Sequence, residues 1–172
     1  MFIFKRIVNR FRRKYALYCI NKRYCGTVPK YFDKKLKAMR VLGYQVGDNT
    51  KVVGPIDITG KLTIGNNCWI GKDFCVHGNG HVVIEDNCDI APLVVFNTGG
   101  HKIGDKNRRA GEGVINNITV GRGTWVGTNV TFVNNISIGK GNVIAAGAVV
   151  ISDTEDNVLV AGVPAKAKRI LE

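Results

Sequence analysis

The chain has 172 residues, of which 45% are apolar, so it is large enough for one globular domain with a core. Its 21 glycines show no Gly-X-Y period, which excludes a collagen-like rod, and no apolar run approaches the ~18 residues of a membrane-spanning helix. The formal net charge of +12 lies in residues 1–40, which contain 13 Lys or Arg and one acidic residue. Five cysteines, no C-x-x-C pair and no signal peptide predict reduced thiols in the cytoplasm.

Residues 1–43 are predicted to form a basic amphipathic helical segment. Apolar side chains recur at helical spacing over residues 2–20, flanked by Lys and Arg, at positions Phe4, Ile7, Val8, Phe11, Tyr15 and Tyr18. A second helix is expected over Asp33–Leu42, before Gly43. Two roles remain open for this segment: packing on the rest of the protein within an oligomer, or lying on an anionic membrane through residues 1–25. Nucleic-acid binding is not expected, because the remainder of the chain is neutral.

Residues 44–172 carry a six-residue repeat of large apolar side chains. It slips by two residues around residues 77–81 and comprises Val46, Val52, Ile58, Ile64, Ile70, Val76, Ile84, Ile90, Phe96, Val114, Val120, Val126, Phe132, Ile138, Ile144 and Val150. The fourth residue after each is usually small or apolar. A period of six with two inward positions predicts short strands joined by tight turns, three per coil of about 18 residues, which is a parallel β-helix. A C-terminal tail, residues 160–172, follows the last coil.

A loop at residues 97–113 interrupts this repeat. From Phe96 to Val114 is eighteen residues, one coil's length, so the loop is expected to bulge outward without shifting the register of the core. A long stretch without regular structure inside a compact domain is usually functional. We therefore expect the segment NTGGH, residues 97–101, to lie at a corner of the coil, and the rest of the loop to form a mobile arm.

Four segments carry a resemblance to a known family. They are NTGGH (97–101), ITVGRGTWVGTNVTF (118–132), GNVIAAGAVV (141–150) and VAGVPAKAKR (160–169). In this order they resemble the hexapeptide-repeat acyltransferases, in particular the serine, galactoside/maltose and virginiamycin acetyltransferase group and the sugar O-acetyltransferases of bacterial surface polysaccharides. The resemblance implies an all-β fold, a left-handed parallel β-helix of hexapeptide repeats with a short N-terminal helical segment. It also implies acetyl-CoA as donor, no metal, and a homotrimer with active sites between subunits.

The resemblance assigns the catalytic role of general base to His101. A neutral imidazole can take the proton of a sugar hydroxyl as this attacks a thioester. His77 is the alternative, because serine acetyltransferases place their histidine before a similar run, although the Asp expected before it is replaced by Val76. His81 is expected to be a turn residue or an acceptor contact. Three histidines on a β-helix also raise the hypothesis of a zinc site like that of the γ-class carbonic anhydrases, but the spacing of these histidines does not match that family.

The resemblance also indicates the residues that bind the two substrates. The acetyl-CoA groove is expected to be lined by Trp125, Thr128, Ala146, Ser152, Lys166 and Arg169. The last two would contact the nucleotide phosphates, and Ser152 stands where the family often has a basic residue, so one expected phosphate contact is absent. The acceptor is expected to meet Asn97, Arg108 and Arg109.

The predicted function is therefore O-acetylation of a hydroxyl of a bacterial surface saccharide, a capsule or lipopolysaccharide precursor, in a ternary complex. Location in the cytoplasm, with peripheral attachment to the inner face of the membrane, is expected. One alternative is an N-acetyltransferase acting on a nucleotide amino sugar or an amino acid. A second alternative is an inactive β-helix that serves as a scaffold.

Overall fold

The computed structural model describes the backbone of residues 2–172 and the side chains from Arg6 onward, so the side chains of Phe4 and Lys5 lie outside the described part. Helix α1 spans Phe2–Tyr18 and continues into a π-helical turn, Cys19–Arg23. A 3-10 turn, Pro29–Tyr31, leads into helix α2, Phe32–Leu42, which ends at Gly43 with φ of 94°. Glycine adopts this left-handed conformation without a steric penalty, so the predicted end of the second helix is confirmed.

The helices contact the first coil through a few buried side chains. Ala16, Ile20, Met39 and Leu42 join the core. Lys35 is fully buried, and its Nζ donates hydrogen bonds to the backbone oxygens of Gly26 (2.6 Å) and Val53 (3.2 Å). Burial lowers the pKa of Lys35 to about 8, because a charged amine is poorly solvated there. Among the described residues, no helix combines the length and apolarity needed to cross a membrane.

Short strands make up the rest of the chain and stack as three parallel sheets. Sheet A comprises β1 (Gln45–Val46), β4 (Lys61–Ile64), β7 (His81–Ile84), β12 (Ile118–Val120) and β15 (Ile136–Ile138). Sheet B comprises β2 (Lys51–Val52), β5 (Trp69–Ile70), β8 (Asp89–Ile90), β13 (Trp125–Val126), β16 (Val143–Ile144), β18 (Val158–Gly162) and β19 (Ala165–Ile170). Sheet C comprises β3 (Ile56–Ile58), β6 (Phe74–His77), β9 (Val95–Asn97), β14 (Thr131–Val133) and β17 (Val149–Val150). Each of the first five coils contributes one strand to each sheet, and β18 continues sheet B, so the predicted parallel β-helix is confirmed.

The core runs along the axis of the coil and is filled by the repeat positions. Fourteen of the sixteen large apolar residues are buried, whereas Ile58 and Val114 are half-buried. Aromatic rings from successive coils stack inside: Phe74 lies 5.5 Å from Phe96, and Phe96 lies 4.7 Å from Phe132, centroid to centroid. Neighbouring coils are thus joined by side-chain packing as well as by backbone hydrogen bonds.

The loop at residues 97–113 has regular structure, contrary to the expectation of an arm without it. Strands β10 (Gly99–Ile103) and β11 (Ala110–Ile115) pair as an antiparallel hairpin, hereafter the hairpin, that leaves the coil. The N–H of Asn116 donates to the backbone oxygen of Thr98 at 2.8 Å, so the two ends of the hairpin meet where it departs. Val114 lies on the hairpin, so its agreement with the repeat does not reflect a position in the core.

The C-terminal tail is also regular. Strand β18 adds one more parallel strand to sheet B beside β16, and β19 folds back on it antiparallel. Ala165 is buried, while the lysines and arginine of β19 are exposed. Strand β19 therefore covers the edge that β18 would otherwise present to solvent.

Candidate active site

The hairpin projects from one corner of the three-sided coil. Strand β9, which precedes it, belongs to sheet C, and strand β12, which follows it, belongs to sheet A. The hairpin therefore leaves at the corner between sheets C and A. Sheet B forms the face opposite this corner.

His101 lies exposed on β10, in register with Gly113. Its Nδ1 is 2.8 Å from the backbone oxygen of Gly111 on the opposite strand. A carbonyl oxygen can only accept a hydrogen bond, so Nδ1 carries the hydrogen and the neutral ring leaves Nε2 as a proton acceptor. The ring is thus oriented by the backbone of the hairpin, in the tautomer that a general base requires.

The base of the hairpin holds two other predicted site residues, His77 and Asn97. They are paired in register on β6 and β9. The backbone oxygen of His77 accepts hydrogen bonds from the N–H and the hydroxyl of buried Thr98, at 2.7 and 2.8 Å, while its side chain is exposed. Asn97 Oδ1 accepts the N–H of Gly99 at 3.3 Å. No ring hydrogen bond of His77 is found among the described residues, so its tautomer is not fixed as that of His101 is.

His81 serves the packing of neighbouring strands. Its Nε2 lies 2.9 Å from Thr63 Oγ1, and its backbone N–H donates to Asn117 Oδ1 at 3.0 Å. The ring is half-buried at the outer side of sheet A. Its Nε2 is therefore already engaged by Thr63 of the adjoining coil.

The tip of the hairpin carries the two predicted acceptor-binding arginines. Asp105 Oδ1 accepts the backbone N–H groups of Asn107 (2.8 Å) and Arg108 (3.1 Å), which closes the turn. Arg109 donates from its guanidinium to the oxygen of Gly104 at 3.3 Å. Both arginines are exposed, so the tip is a cationic surface held by a structured turn.

Three predicted donor-binding residues share the outer face of sheet B. Trp125, with 58% of its surface exposed, is in register with Val143, Val143 with Leu159, and Leu159 with Arg169. Paired residues point to the same side of a sheet. Lys166 pairs with Ala161, which follows buried Val160 and so points outward, as Leu159 does between buried Val158 and Val160. Trp125, Lys166 and Arg169 therefore line one surface, with both cations at its C-terminal end.

The other donor-binding candidates lie at corners of the coil. Thr128 and Ala146 are exposed at the corner between sheets B and C, where the N–H of Gly147 donates to the oxygen of Thr128 at 2.9 Å. They stack on consecutive coils beside the surface of Trp125. Ser152 follows β17 and is exposed at the corner between sheets C and A, so the structure does not bring it to the other five.

One protomer therefore holds two separate groups of predicted site residues. The first is at the hairpin, with His77 and Asn97 at its base, and the second is on sheet B and its corner with sheet C. Among the described residues, no group of three or more His, Cys, Asp or Glu side chains could hold a metal ion.

The comparison with known proteins identifies the family. No protein-family model matches the chain. It is 31% identical over 166 residues to galactoside O-acetyltransferase of Escherichia coli K12, covering 93% of this chain and 78% of that protein. It is 36% identical over 139 residues to a putative acetyltransferase of Saccharomyces cerevisiae, covering 80% and 71%. It superposes on a galactoside acetyltransferase in complex with coenzyme A with a TM-score of 0.79 at 27% identity, covering 95% and 81%.

The chain belongs to the hexapeptide-repeat acetyltransferases, and it is an acetyltransferase. The predicted left-handed β-helix is confirmed by this similarity. The prediction of acetyl-CoA as donor is confirmed for the family, because the superposed enzyme holds coenzyme A.

Two features of the site were not found from the sequence. The oxygen of Gly111, which orients His101, belongs to the backbone and leaves no trace in residue type. Trp69 lies on sheet B in the column of Trp125. The signal for Trp69 was present, because it occupies the same outward position of the repeat as Trp125.

Proposed function

We propose that this protein transfers the acetyl group of acetyl-CoA to a hydroxyl of a saccharide, with His101 as general base. The observation that carries the proposal is the 2.8 Å contact between His101 Nδ1 and the oxygen of Gly111. It leaves Nε2 exposed and able to accept a proton, which is what a hydroxyl nucleophile requires.

The reaction proceeds by direct transfer. As the acceptor oxygen attacks the thioester carbonyl, its proton passes to His101 Nε2 and a tetrahedral oxyanion forms. When the oxyanion collapses, the C–S bond breaks and the thiolate of coenzyme A takes the proton from the imidazolium. The Thr98–Asn116 pair is hydrogen-bonded, so the N–H of Gly100, two residues on, faces the opposite strand of the hairpin. The N–H of Gly99 points away from that strand and has only a 3.3 Å contact with Asn97 Oδ1, so Gly99 is the better candidate to donate to the oxyanion.

The proposed assembly is a homotrimer with each active site between two subunits. Its support is the placement of His101 at the corner between sheets C and A, opposite the sheet that carries Trp125, Lys166 and Arg169. No movement of a single protomer can bring opposite sides of a packed coil together. A neighbouring subunit must therefore place its sheet B beside this hairpin.

A hydroxyl is favoured over an amine as acceptor by two observations. The relative from Escherichia coli is named for O-acetylation of galactosides. An oriented base matters most for a hydroxyl, which is a weak nucleophile until its proton is removed. The exposed arginines at the hairpin tip, Arg108 and Arg109, are placed to meet the saccharide or a phosphate attached to it.

The decisive measurement is the turnover of His101→Ala with acetyl-CoA and a galactoside acceptor. We expect kcat to fall at least ~100-fold with unchanged thermal unfolding, since His101 is exposed. His77→Ala is the matched control and should retain most activity. An active His101→Ala beside an inactive His77→Ala would refute the assignment.

The class of acceptor is tested by the stability of the product. Mild base should release acetate from the product, because esters hydrolyse where amides persist, and a base-stable product would mean an amine acceptor.

We propose in addition that helix α1 attaches the protein to the inner face of an anionic membrane. Ile7, Phe11, Tyr15 and Tyr18 are 48, 69, 55 and 52% exposed, whereas Ala16 is the only buried residue among the described side chains of the helix. Arginine and lysine side chains flank this apolar stripe, and α1 has no acidic residue. An apolar stripe bordered by cations is the arrangement that binds the interface of anionic lipid.

The membrane proposal is tested with Ile7→Ser/Phe11→Ser, which leaves buried Ala16 and Ile20 in place. Flotation with vesicles of phosphatidylglycerol and phosphatidylcholine should recover the unaltered protein and lose the variant. Val163→Ser, a change at an exposed apolar residue distant from α1, is the control. Loss of the trimer with unaltered vesicle binding would instead assign the stripe to contacts between subunits.

A further inference from the structure

The outer face of sheet B carries a long groove that meets the predicted donor site only at Trp125. Two adjoining hollows form it, of about 660 and 370 Å³, and both are lined by Trp69 and Asp89. The larger runs between sheet B and helix α2, where Phe32 and Asp33 form its other wall. The smaller extends over Ala91 and Pro92 to Trp125.

The two tryptophans stand in one column of the sheet. Trp69 is in register with Asp89, and Asp89 with Trp125, so the indoles lie two strands apart. Neighbouring strands are ~4.8 Å apart, which separates the indoles by ~10 Å with a carboxylate between them. These are the only two tryptophans in the chain.

The polar groups of the groove are free to bind a ligand. Asp33 and Asp89 are exposed, and neither has a salt bridge among the described residues. Phe32 meets Trp69 edge-on at 5.8 Å, which holds the indole while leaving it half-exposed. At the floor, Asn49 Nδ2 donates to Asn67 Oδ1 at 3.2 Å and both side chains remain exposed.

We propose that this groove binds an uncharged oligosaccharide, as an extension of the acceptor site. Aromatic faces carry partial negative charge and attract the C–H groups of a pyranose ring, while carboxylates and amides accept and donate hydrogen bonds to its hydroxyls. Asp33 and Asp89 outnumber the single cation of the groove, Lys51, which disfavours an acidic sugar. The inference rests on the proposed function in that the bound saccharide is the acceptor.

The position of the groove indicates the direction of the saccharide. Trp125 belongs to the groove and to the predicted coenzyme A surface, so the two sites meet there. Lys166 and Arg169 lie on the C-terminal side of Trp125, whereas Trp69 and α2 lie on its N-terminal side. The sugar nearest Trp125 receives the acetyl group, and the sugars beyond it extend toward Trp69 and Phe32. The preferred acceptor is therefore a chain of several sugars.

Intrinsic fluorescence tests the binding without any catalysis. In Trp125→Phe the single tryptophan is Trp69, whose emission can be excited selectively at about 295 nm. Titration with glucose and with maltotriose, maltopentaose and maltoheptaose, in the absence of acetyl-CoA, should give a saturable change. The affinity should rise at least ~10-fold from glucose to maltoheptaose. Asp89→Asn in the same background should weaken it several-fold. Tighter binding of an oligogalacturonate series, or no saturable change with either series, would overturn the proposal.

Kinetics separate this inference from the proposed function. For the unaltered protein, kcat/KM should be at least ~10-fold higher with maltoheptaose than with methyl glucoside, and in Trp69→Ala this ratio should fall toward one. Trp69→Phe, which keeps an aromatic face, should retain most of the ratio and guards against a folding defect in Trp69→Ala. Cys75→Ala, at the same repeat position on sheet C, is the matched control.

The two proposals can fail independently. Acetylation of methyl glucoside with no dependence on the length of the saccharide would support the proposed function and refute saccharide binding in the groove. Length-dependent fluorescence without any acetylation would do the reverse.

Discussion

The coil and the hairpin are adjoining segments of one chain, but they are stabilised in different ways. In the coil, Phe96 and Phe132 are fully buried and their rings stack 4.7 Å apart. In the hairpin, His101 is exposed and Ile103 is 88% exposed, so its order comes from backbone pairing and exposed side-chain hydrogen bonds, without a buried core. The packed coil therefore provides most of the free energy of folding, while the hairpin contributes little to it and can expose reactive side chains such as His101. This division predicts that stability and activity can be altered separately.

The largest effect is expected from a cavity in the coil. Phe132→Ala should lower the free energy of unfolding by ~3–5 kcal/mol, because it removes a buried ring that stacks on the adjoining coil. Urea denaturation followed by circular dichroism measures it. Thr131→Ala, the half-buried neighbour on the same strand, is the control. A loss below ~1 kcal/mol would mean that packing between coils contributes little.

Removal of the hairpin should abolish activity and leave stability almost unchanged. Replacing Gly99–Ile115 by one glycine makes the link from Phe96 to Val120 as long as the link from Val76 to Ile84 in the coil before it. Activity should fall at least ~100-fold with the loss of His101, while the free energy of unfolding changes by less than ~1 kcal/mol, because no hairpin residue is buried. Acetyl transfer and urea denaturation measure the two quantities. A large loss of stability would show that the hairpin supports the coil.

A smaller effect is expected on the donor surface of sheet B. Lys166→Ala and Arg169→Ala should each raise the KM for acetyl-CoA, by up to ~10-fold together, because both cations lie on the outer face beside Trp125 and suit phosphate groups. The effect should diminish in high salt, since both are exposed. Lys140→Ala, at an exposed turn of the coil, serves as control. An unchanged KM in the double variant would place the nucleotide elsewhere.

The smallest effect concerns the one salt bridge across the hairpin. Lys102 Nζ lies 2.7 Å from Glu112, and both side chains are well exposed. Glu112→Gln should alter the free energy of unfolding by less than ~1 kcal/mol, and kcat by less than twofold, because exposed ion pairs contribute little. A strong fall in kcat would mean that this pair sets the position of His101.

The coil was predictable from sequence because its two inward positions leave a period of six, as at Ile64, Ile70 and Val76. The hairpin was not, because it has no buried face and its strands therefore show no alternation of apolar and polar residues. Val114 fitted the repeat by position and yet lies outside the core. Strand β19 was not predicted for a similar reason. It forms because it pairs with the exposed edge of β18, and its own sequence carries no pattern that indicates this pairing.

The candidate site was predictable only in part. Motifs resembling the family pointed to His101 and Trp125, but their separation on opposite sides of the coil follows from the order of the sheets. The partner of His101 is a backbone oxygen, and within one protomer Ser152 lies at the corner of the hairpin, apart from the other predicted donor-binding residues. The expected helices α1 and α2 are present, since their apolar spacing and Gly43 were readable, whereas the exposure of the stripe on α1 depends on tertiary packing.

The closure of the hairpin at Thr98 and Asn116 bears on how the coil assembles as a chain. Strand β7 pairs with β4 through Val82 and Leu62, and with β12 through Ile118. The hairpin thus nearly doubles the length of chain that must loop back to lay the next strand. Loop-closure entropy grows only with the logarithm of that length, so the insertion costs ~0.6 kcal/mol. A stacked solenoid can therefore accept an active segment of this size between two coils almost without slowing or weakening the addition of the next one.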